Sequence, residues 1–336
     1  MGTTWEEGRA GGSRNSYYPL RYTEFFAIHH RCILSFEARE PLARGDEIGM
    51  DTQAIASHLL QQSVCMFKGR ICHPEPRAIR EIIEWTRAAI LPNYFDAEGG
   101  KHLSHTLDRL RAELAEQVHR ATYQSCLSSG TADTQKRAWE TADVYIEYLP
   151  QLQSLVYEDI TETVNGDPAA TGCDEVILTY PGIFALLVYR AANVLYRHGV
   201  PLLPRMMTEY AHRVTGVDLH PGATIGRSIM IDHGTGIVVG ETAVVGNHVK
   251  IYQGVTLGAL YFPKDEEGEY QRHVKRHPTV EDYVILYANC TVLGGETVIG
   301  HHSVIGSNAW VTQSVLPYSK VVYEAESVVR TRNARS

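Results

Sequence analysis

The sequence predicts an α+β fold, with an N-terminal α-helical domain followed by a C-terminal left-handed parallel β-helix of hexapeptide repeats. Three observations lead there. Apolar residues recur at three-and-four spacing as far as residue 215. From Val217 that spacing gives way to an aliphatic residue at every sixth position. One polar stretch, residues 261–279, interrupts the six-residue pattern without ending it.

Residues 1–50 carry Gly, Arg and Ser clusters with no period and read as a partly ordered arm. The helical domain is expected over 51–215. Ile79, Ile82, Ile83 and Ile90 fit one helical face, as do Leu103, Leu107, Leu110, Leu114 and Val118. Gly130 to Asp133 read as a break with a cap, opening a further helix through Tyr145 and Leu149. The strongly apolar stretch 182–198 forms a helix that stops before Gly199 and Pro201, and a short helix follows to about Val214.

The β-helix is expected over 216–318. Leu219, Ile225 and Ile231 are six apart, and so are Val239, Val245, Ile251 and Leu257. Val280, Leu286 and Val292 continue the series, then Ile299, Ile305 and Val311. Four positions after many of these stands a small or branched residue, among them Ala223, Ala243, Val255 and Cys290. In a triangular coil of three hexads the aliphatic side chain points inward and stacks on its counterpart one coil away, and the smaller one fits the corner. Cys290 is therefore a packed core thiol and not a nucleophile. A β-sandwich with frequent turns would not hold thirteen hexads with only two phase slips, one between Ile231 and Val239 and one between Val292 and Ile299. The charged stretch 261–279 has no place in a coil and is expected to loop out, where function concentrates. Residues 319–336 read as a C-terminal tail.

Composition narrows the function. With 336 residues, 44% hydrophobic and 21% charged, the chain has the apolar material for a large core. A net charge of -8 makes nucleic acid a poor partner. The apolar runs are too short to span a membrane. Six cysteines without a CxxC pair argue against a disulfide scaffold or a structural zinc site. No secretory apolar core stands at the N-terminus, and Glu6 breaks the myristoylation pattern that Met1-Gly2 would begin, so a cytoplasmic location is expected.

The stretch DLHPGATIGRSIMIDHGTGIVVGETAVVG, followed by QGVTLGA and RHPTV, resembles serine O-acetyltransferase. The likeness covers roughly residues 150–318, with NGDPAA and YPGIFALLVYRAANVLYRHGVPLLPR as its helical lead-in. It implies transfer of acetyl from acetyl-CoA to the L-serine hydroxyl, giving O-acetyl-L-serine and CoA in cysteine biosynthesis. A serine hydroxyl needs a base within hydrogen-bond reach, and an imidazole suits the task. By the resemblance His233 is that base and Asp218, fifteen residues earlier and so close to one coil away, is the carboxylate that orients it. The competing reading is that His233 caps a turn.

A zwitterionic acceptor wants carboxylates for its ammonium and an arginine for its carboxylate. Asp167 and Asp232 match family positions that contact the amino acid, and Arg276 and His277 match the family's pair on the extruded loop. Asp167 could equally serve a turn before Pro168, and Arg276 could be a solvated member of the basic cluster with Arg272 and Lys275. Gly258, Ala259, Ala288 and Ser307 match positions that line the acetyl-CoA arm, and corner packing would favour small residues there too. A backbone N–H near Gly258 is the expected oxyanion donor. No metal is expected, since a zinc site needs three convergent histidines and His277 already has another role.

The resemblance also implies a homotrimer or hexamer with active sites between adjacent β-helices, and L-cysteine as a feedback inhibitor. Many family members end in an Ile that docks into O-acetylserine sulfhydrylase. This chain closes VVRTRNARS, which weighs against that complex. The alternatives are an acetyltransferase for another small hydroxylated acceptor, and a non-catalytic scaffold that binds a sulfhydrylase.

Overall fold

A computed structural model describes residues 52–67, 73–96, 100–125, 131–272 and 274–324. The arm expected over 1–50 and the last twelve residues of the tail lie outside the described residues. Residues 1–71 and 72–336 form two units. In the first, helix α1 spans Thr52–Phe67. The second unit carries the remaining described helices and all the described strands.

Its helices are α2 (Pro76–Ile90), α3 (Pro92–Phe95), α4 (Leu103–Ser125), α5 (Thr131–Gly166), α6 (Cys173–Thr179), α7 (Pro181–Arg197) and α8 (Leu203–Thr215). The apolar faces read from the sequence pack together: Ile79, Ile82 and Ile83 of α2 meet Leu110 and Leu114 of α4, Tyr145 and Leu152 of α5, and Leu187 and Leu195 of α7. Helix α5 continues through Pro150 to Gly166. Among the described residues no single helix is long and apolar enough to cross a membrane.

Helix α7 is apolar nearly all round because it is buried on two sides. Leu187 and Leu195 face the helical core, whereas Ala185, Leu186 and Tyr189 close the first coil of the β-helix. A Cβ at Gly182 would lie 2.5 Å from the Ile231 carbonyl oxygen, so only glycine allows α7 to lie this close. One buried ion pair fixes the junction. Arg190 Nε and Nη2 donate to Asp159 at 2.7 and 2.8 Å, Nη2 also donates to the Gly226 carbonyl, and Asp159 Oδ1 accepts the Ile229 N–H.

The strands are β1 (Asp218–Leu219), β2 (Thr224–Ile225), β3 (Met230–Ile231), β4 (Val238–Val239), β5 (Val244–Val245), β6 (Lys250–Ile251) and β7 (Thr256–Gly258). They continue with β8 (Thr279–Val280), β9 (Ile285–Leu286), β10 (Thr291–Leu293), β11 (Val298–Ile299), β12 (Val304–Ile305), β13 (Trp310–Val311) and β14 (Lys320–Val321). They form three parallel sheets wound as a left-handed β-helix: β1-β4-β7-β10-β13 (sheet one), β2-β5-β8-β11 (sheet two) and β3-β6-β9-β12-β14 (sheet three). The register stacks Leu219, Val239, Leu257, Val292 and Val311 in one column. All thirteen aliphatic positions of the hexads are buried, and Cys290 is fully buried in a corner with its thiol pushed up to about 12 by burial.

Candidate active site

The first phase slip lies on the edge where sheet three turns into sheet one. Six residues, 232–237, connect β3 to β4, two more than a regular hexad corner holds. The extra backbone is accommodated by left-handed conformations at His233 (φ 57), Gly234 (φ 82) and Gly236 (φ 82). The result carries the His233 side chain outward, 71% exposed. The corner stays tied to its neighbours, with Gly236 N–H donating to Gly216 O at 2.8 Å and Gly254 N–H donating to Thr235 O at 2.9 Å.

Carboxylates converge on this edge. Asp232 Oδ1 stands 3.6 Å from His233 Nδ1, an electrostatic contact rather than a hydrogen bond. Asp167 follows directly on α5 and lies near enough for His233 to favour its ionised form. Its Oδ2 accepts a 2.5 Å bond from the Tyr180 hydroxyl and its Oδ1 accepts the Ala169 N–H at 2.8 Å. The Tyr180 hydroxyl, then the Ala169 amide, hold the Asp167 carboxyl below the usual range. Asp218 begins β1 on the same edge, one coil below Val238. Its carboxylate has Arg205 Nη1 at 3.6 Å, and Arg205 also reaches Glu209 at 2.5 Å. Glu209, His212 and Asp218 are the one group of potential metal ligands gathered among the described residues, and the Arg205 cation already serves two of its carboxylates.

The second constellation lies on the next edge, where sheet one turns into sheet two. The stretch between β7 and β8 leaves the coil here as the sequence requires, closing on itself through an antiparallel bridge between Lys264 and Tyr270. Its base docks onto Gly240, Glu241 and Thr242 of the coil below. Arg276 Nη2 donates to Glu241 Oε2 at 2.5 Å, and Tyr196 from α7 donates to Glu241 Oε1 at 2.9 Å. Burial pushes the Glu241 carboxyl up, but these two bonds outweigh it and leave it below the usual range. Thr242 Oγ1 accepts the N–H groups of Arg276 and His277, and the Lys275 ammonium donates to Thr242 O.

His277 is only 7% exposed. Thr242 N–H donates to its Nδ1 at 3.1 Å, which places the ring proton on Nε2. Burial, with the neighbouring Arg276 cation second, depresses it to about 4. A Cβ on Gly240 would come within 2.1 Å of this ring, so glycine is what lets the loop seat. The second phase slip has the same purpose: a Cβ on Gly295 would lie 2.4 Å from the Lys275 carbonyl oxygen.

Of the small residues matched to the acetyl-CoA arm, Ala288 and Ser307 lie on the His233 edge, whereas Gly258 ends β7 and Ala259 follows it where the chain leaves the coil on the other. Beside them a cleft of about 270 Å³ opens between Leu260, Tyr261, Lys275 and Arg276 of the loop and Gly294, Gly295 and Thr312 of the coils above. Tyr252 and Tyr287 stack above Asp232 with ring centroids 5.1 Å apart. Within one chain, sheet one therefore separates His233, Asp232 and Asp167 from Arg276 and His277. Sequence reasoning did not find Tyr180, Glu241 or Thr242. The GET triplet was visible, but its work depends on pairing with residues 35 positions away.

A coiled hexad scaffold that displays an outward histidine among carboxylates on one edge, and an arginine on an extruded loop at the next, defines a hexapeptide-repeat acyltransferase. No family model matches the chain. A plasmid-encoded serine acetyltransferase of Synechococcus elongatus is 39% identical over 274 residues, 78% of this chain and 85% of that protein. The serine acetyltransferase of Bacillus subtilis is 42% identical over 168 residues, 50% of this chain and 73% of that protein. Among solved structures, serine acetyltransferase isoform 3 of Entamoeba histolytica, in complex with cysteine, superposes with a TM-score of 0.66 at 33% identity, covering 75% of this chain and 84% of that one. The chain belongs to the serine acetyltransferase family.

Proposed function

We propose that this chain transfers the acetyl group of acetyl-CoA to the hydroxyl of L-serine. Asp167 and Asp232 receive the serine ammonium, and Arg276 receives its carboxylate. His233 accepts the hydroxyl proton as the oxygen forms a bond to the thioester carbonyl carbon, and the C–S bond then breaks as the thiolate takes that proton back. Asp218, on the same edge, is the carboxylate assigned to orient the imidazole. Gly258, Ala259, Ala288 and Ser307 leave room along the two edges for the pantetheine arm, and Lys275 beside the cleft suits its phosphates. A backbone N–H beside Gly258 faces the developing oxyanion.

The observation that carries this reading is the outward His233 at a corner flanked by Asp232 and Asp167. Since Arg276 lies across sheet one from His233, a second copy presenting its loop edge to the His233 edge would complete the acceptor site. That supports the homotrimer. One structural neighbour was solved with cysteine, which supports L-cysteine as a competitor for the serine pocket. The test is release of CoA thiol from acetyl-CoA, with and without L-serine, by the wild type and His233→Ala. Serine-dependent release that falls about 10²–10⁴-fold in the variant is expected. Full activity in a folded His233→Ala protein would refute the mechanism.

A further inference from the structure

We infer that Tyr180 is a positioning residue for the amino-acid acceptor, holding the Asp167 carboxylate in place and aimed at the substrate ammonium. The inference rests on the acceptor site proposed above and adds a residue to it. Asp167 occupies an awkward place for an anion. It follows the last residue of α5, a 36-residue helix, and its own N–H closes the final turn onto Thr163 O. The carbonyl end of a helix carries partial negative charge and disfavours a carboxylate. Two donors offset this. The Ala169 N–H engages Oδ1, and the Tyr180 hydroxyl engages Oδ2 at 2.5 Å. Each oxygen keeps a second lone pair, so the carboxylate can still accept an ammonium.

The tyrosine itself is fixed in place. It is the residue before α7, in extended conformation (φ -82, ψ 118), and Pro181 behind it locks the start of the helix. Helix α7 packs closely here, with Gly182 against Ile231 of the first coil, next to Asp232. The position of Asp167 relative to Asp232 is thus carried by a short rigid path: Asp167 to Tyr180, along the start of α7, to Ile231. The hydrogen bond to Asp167, with desolvation second, raises the hydroxyl to about 12, so it remains a donor throughout the working pH range.

The experiment is steady-state kinetics of Tyr180→Phe, Asp167→Asn and the double variant, each checked by thermal melting. Tyr180→Phe removes one oxygen and keeps the ring. Its KM for serine is expected to rise about 10-fold, the size of one lost charge-assisted hydrogen bond. Its kcat and its KM for acetyl-CoA are expected to stay within about 2-fold, because only the acceptor anchor has changed. The double variant is expected to be no worse than Asp167→Asn alone, because Tyr180 acts through Asp167. An unchanged serine KM in Tyr180→Phe, a loss that falls on kcat instead, or additive losses in the double variant would each overturn the inference. A wild type with no serine-dependent CoA release would instead overturn the acceptor assignment on which it rests.

Discussion

His277 offers a quantitative test of how the loop is seated. In an unfolded chain its imidazole titrates at the ordinary 6.5, and in the fold it lies at about 4. Below pH 6.5 the unfolded chain binds a proton that the folded chain does not, so falling pH favours unfolding. Stability is therefore complete above pH 6.5 and is lost progressively down to about pH 4. Two and a half pH units at about 1.36 kcal/mol each give about 3 kcal/mol at the acid end. The ring is almost wholly buried, so solvent screening removes little of this. The assay is urea denaturation of wild type and His277→Gln at fixed protein concentration, in steps from pH 7.5 to 4.5. Acid destabilisation by carboxylates is common to both proteins, and the difference between the two curves isolates the histidine. The gap should drift by about 2–3 kcal/mol against the wild type across that window. Serine KM should rise over the same interval, because protonating Nδ1 breaks its bond to Thr242 and loosens Arg276 next door. Parallel curves between pH 4.5 and 7 would refute the seating argument.

Other perturbations follow from the same geometry. Arg276→Ala should raise the serine KM about 10–100-fold in initial-rate assays with little change in the KM for acetyl-CoA, the loss of one charged contact to a carboxylate. Gly240→Ala should cost about 1–3 kcal/mol of stability by denaturant melts and weaken serine binding, since the added methyl overlaps the His277 ring. Asp159→Ala should cost about 3–5 kcal/mol by the same melts, because it strands a buried Arg190.

The β-helix was legible because its constraint is strictly periodic. A column such as Leu219, Val239, Leu257, Val292 and Val311 demands the same kind of residue at each turn, and the pattern survives a loop of nearly twenty residues. The helical faces were legible for the same reason at a different period. The length of α5 was not, because Pro150 reads locally as a stop and only the packing on either side carries the helix through it. At the site, His233, Asp232, Asp167 and Arg276 were reached through motif likeness. The two phase slips were visible as irregularities, but their meaning was not. One pushes His233 out of the coil, and the other opens space for the base of the loop. Glu241, Thr242 and Tyr180 were missed because each acts on a residue brought near only by winding or by helix packing.

The winding has a consequence for how this architecture changes over time. Neighbouring coils are one strand spacing apart, about 4.8 Å. Groups on one edge therefore sit at whole-number steps along a ruler, and a side chain moves to a new height only by a full step. Coils beyond the one that carries β10 can be added or removed without altering the spacing between His233 and Asp218 at the other end. A single residue inserted into a hexad below it would reverse which side chains face inward and could not be absorbed. The protein thus tolerates change in units of a turn and resists it in units of a residue, except at the two slips, where the ruler is already broken and chemistry has room to vary.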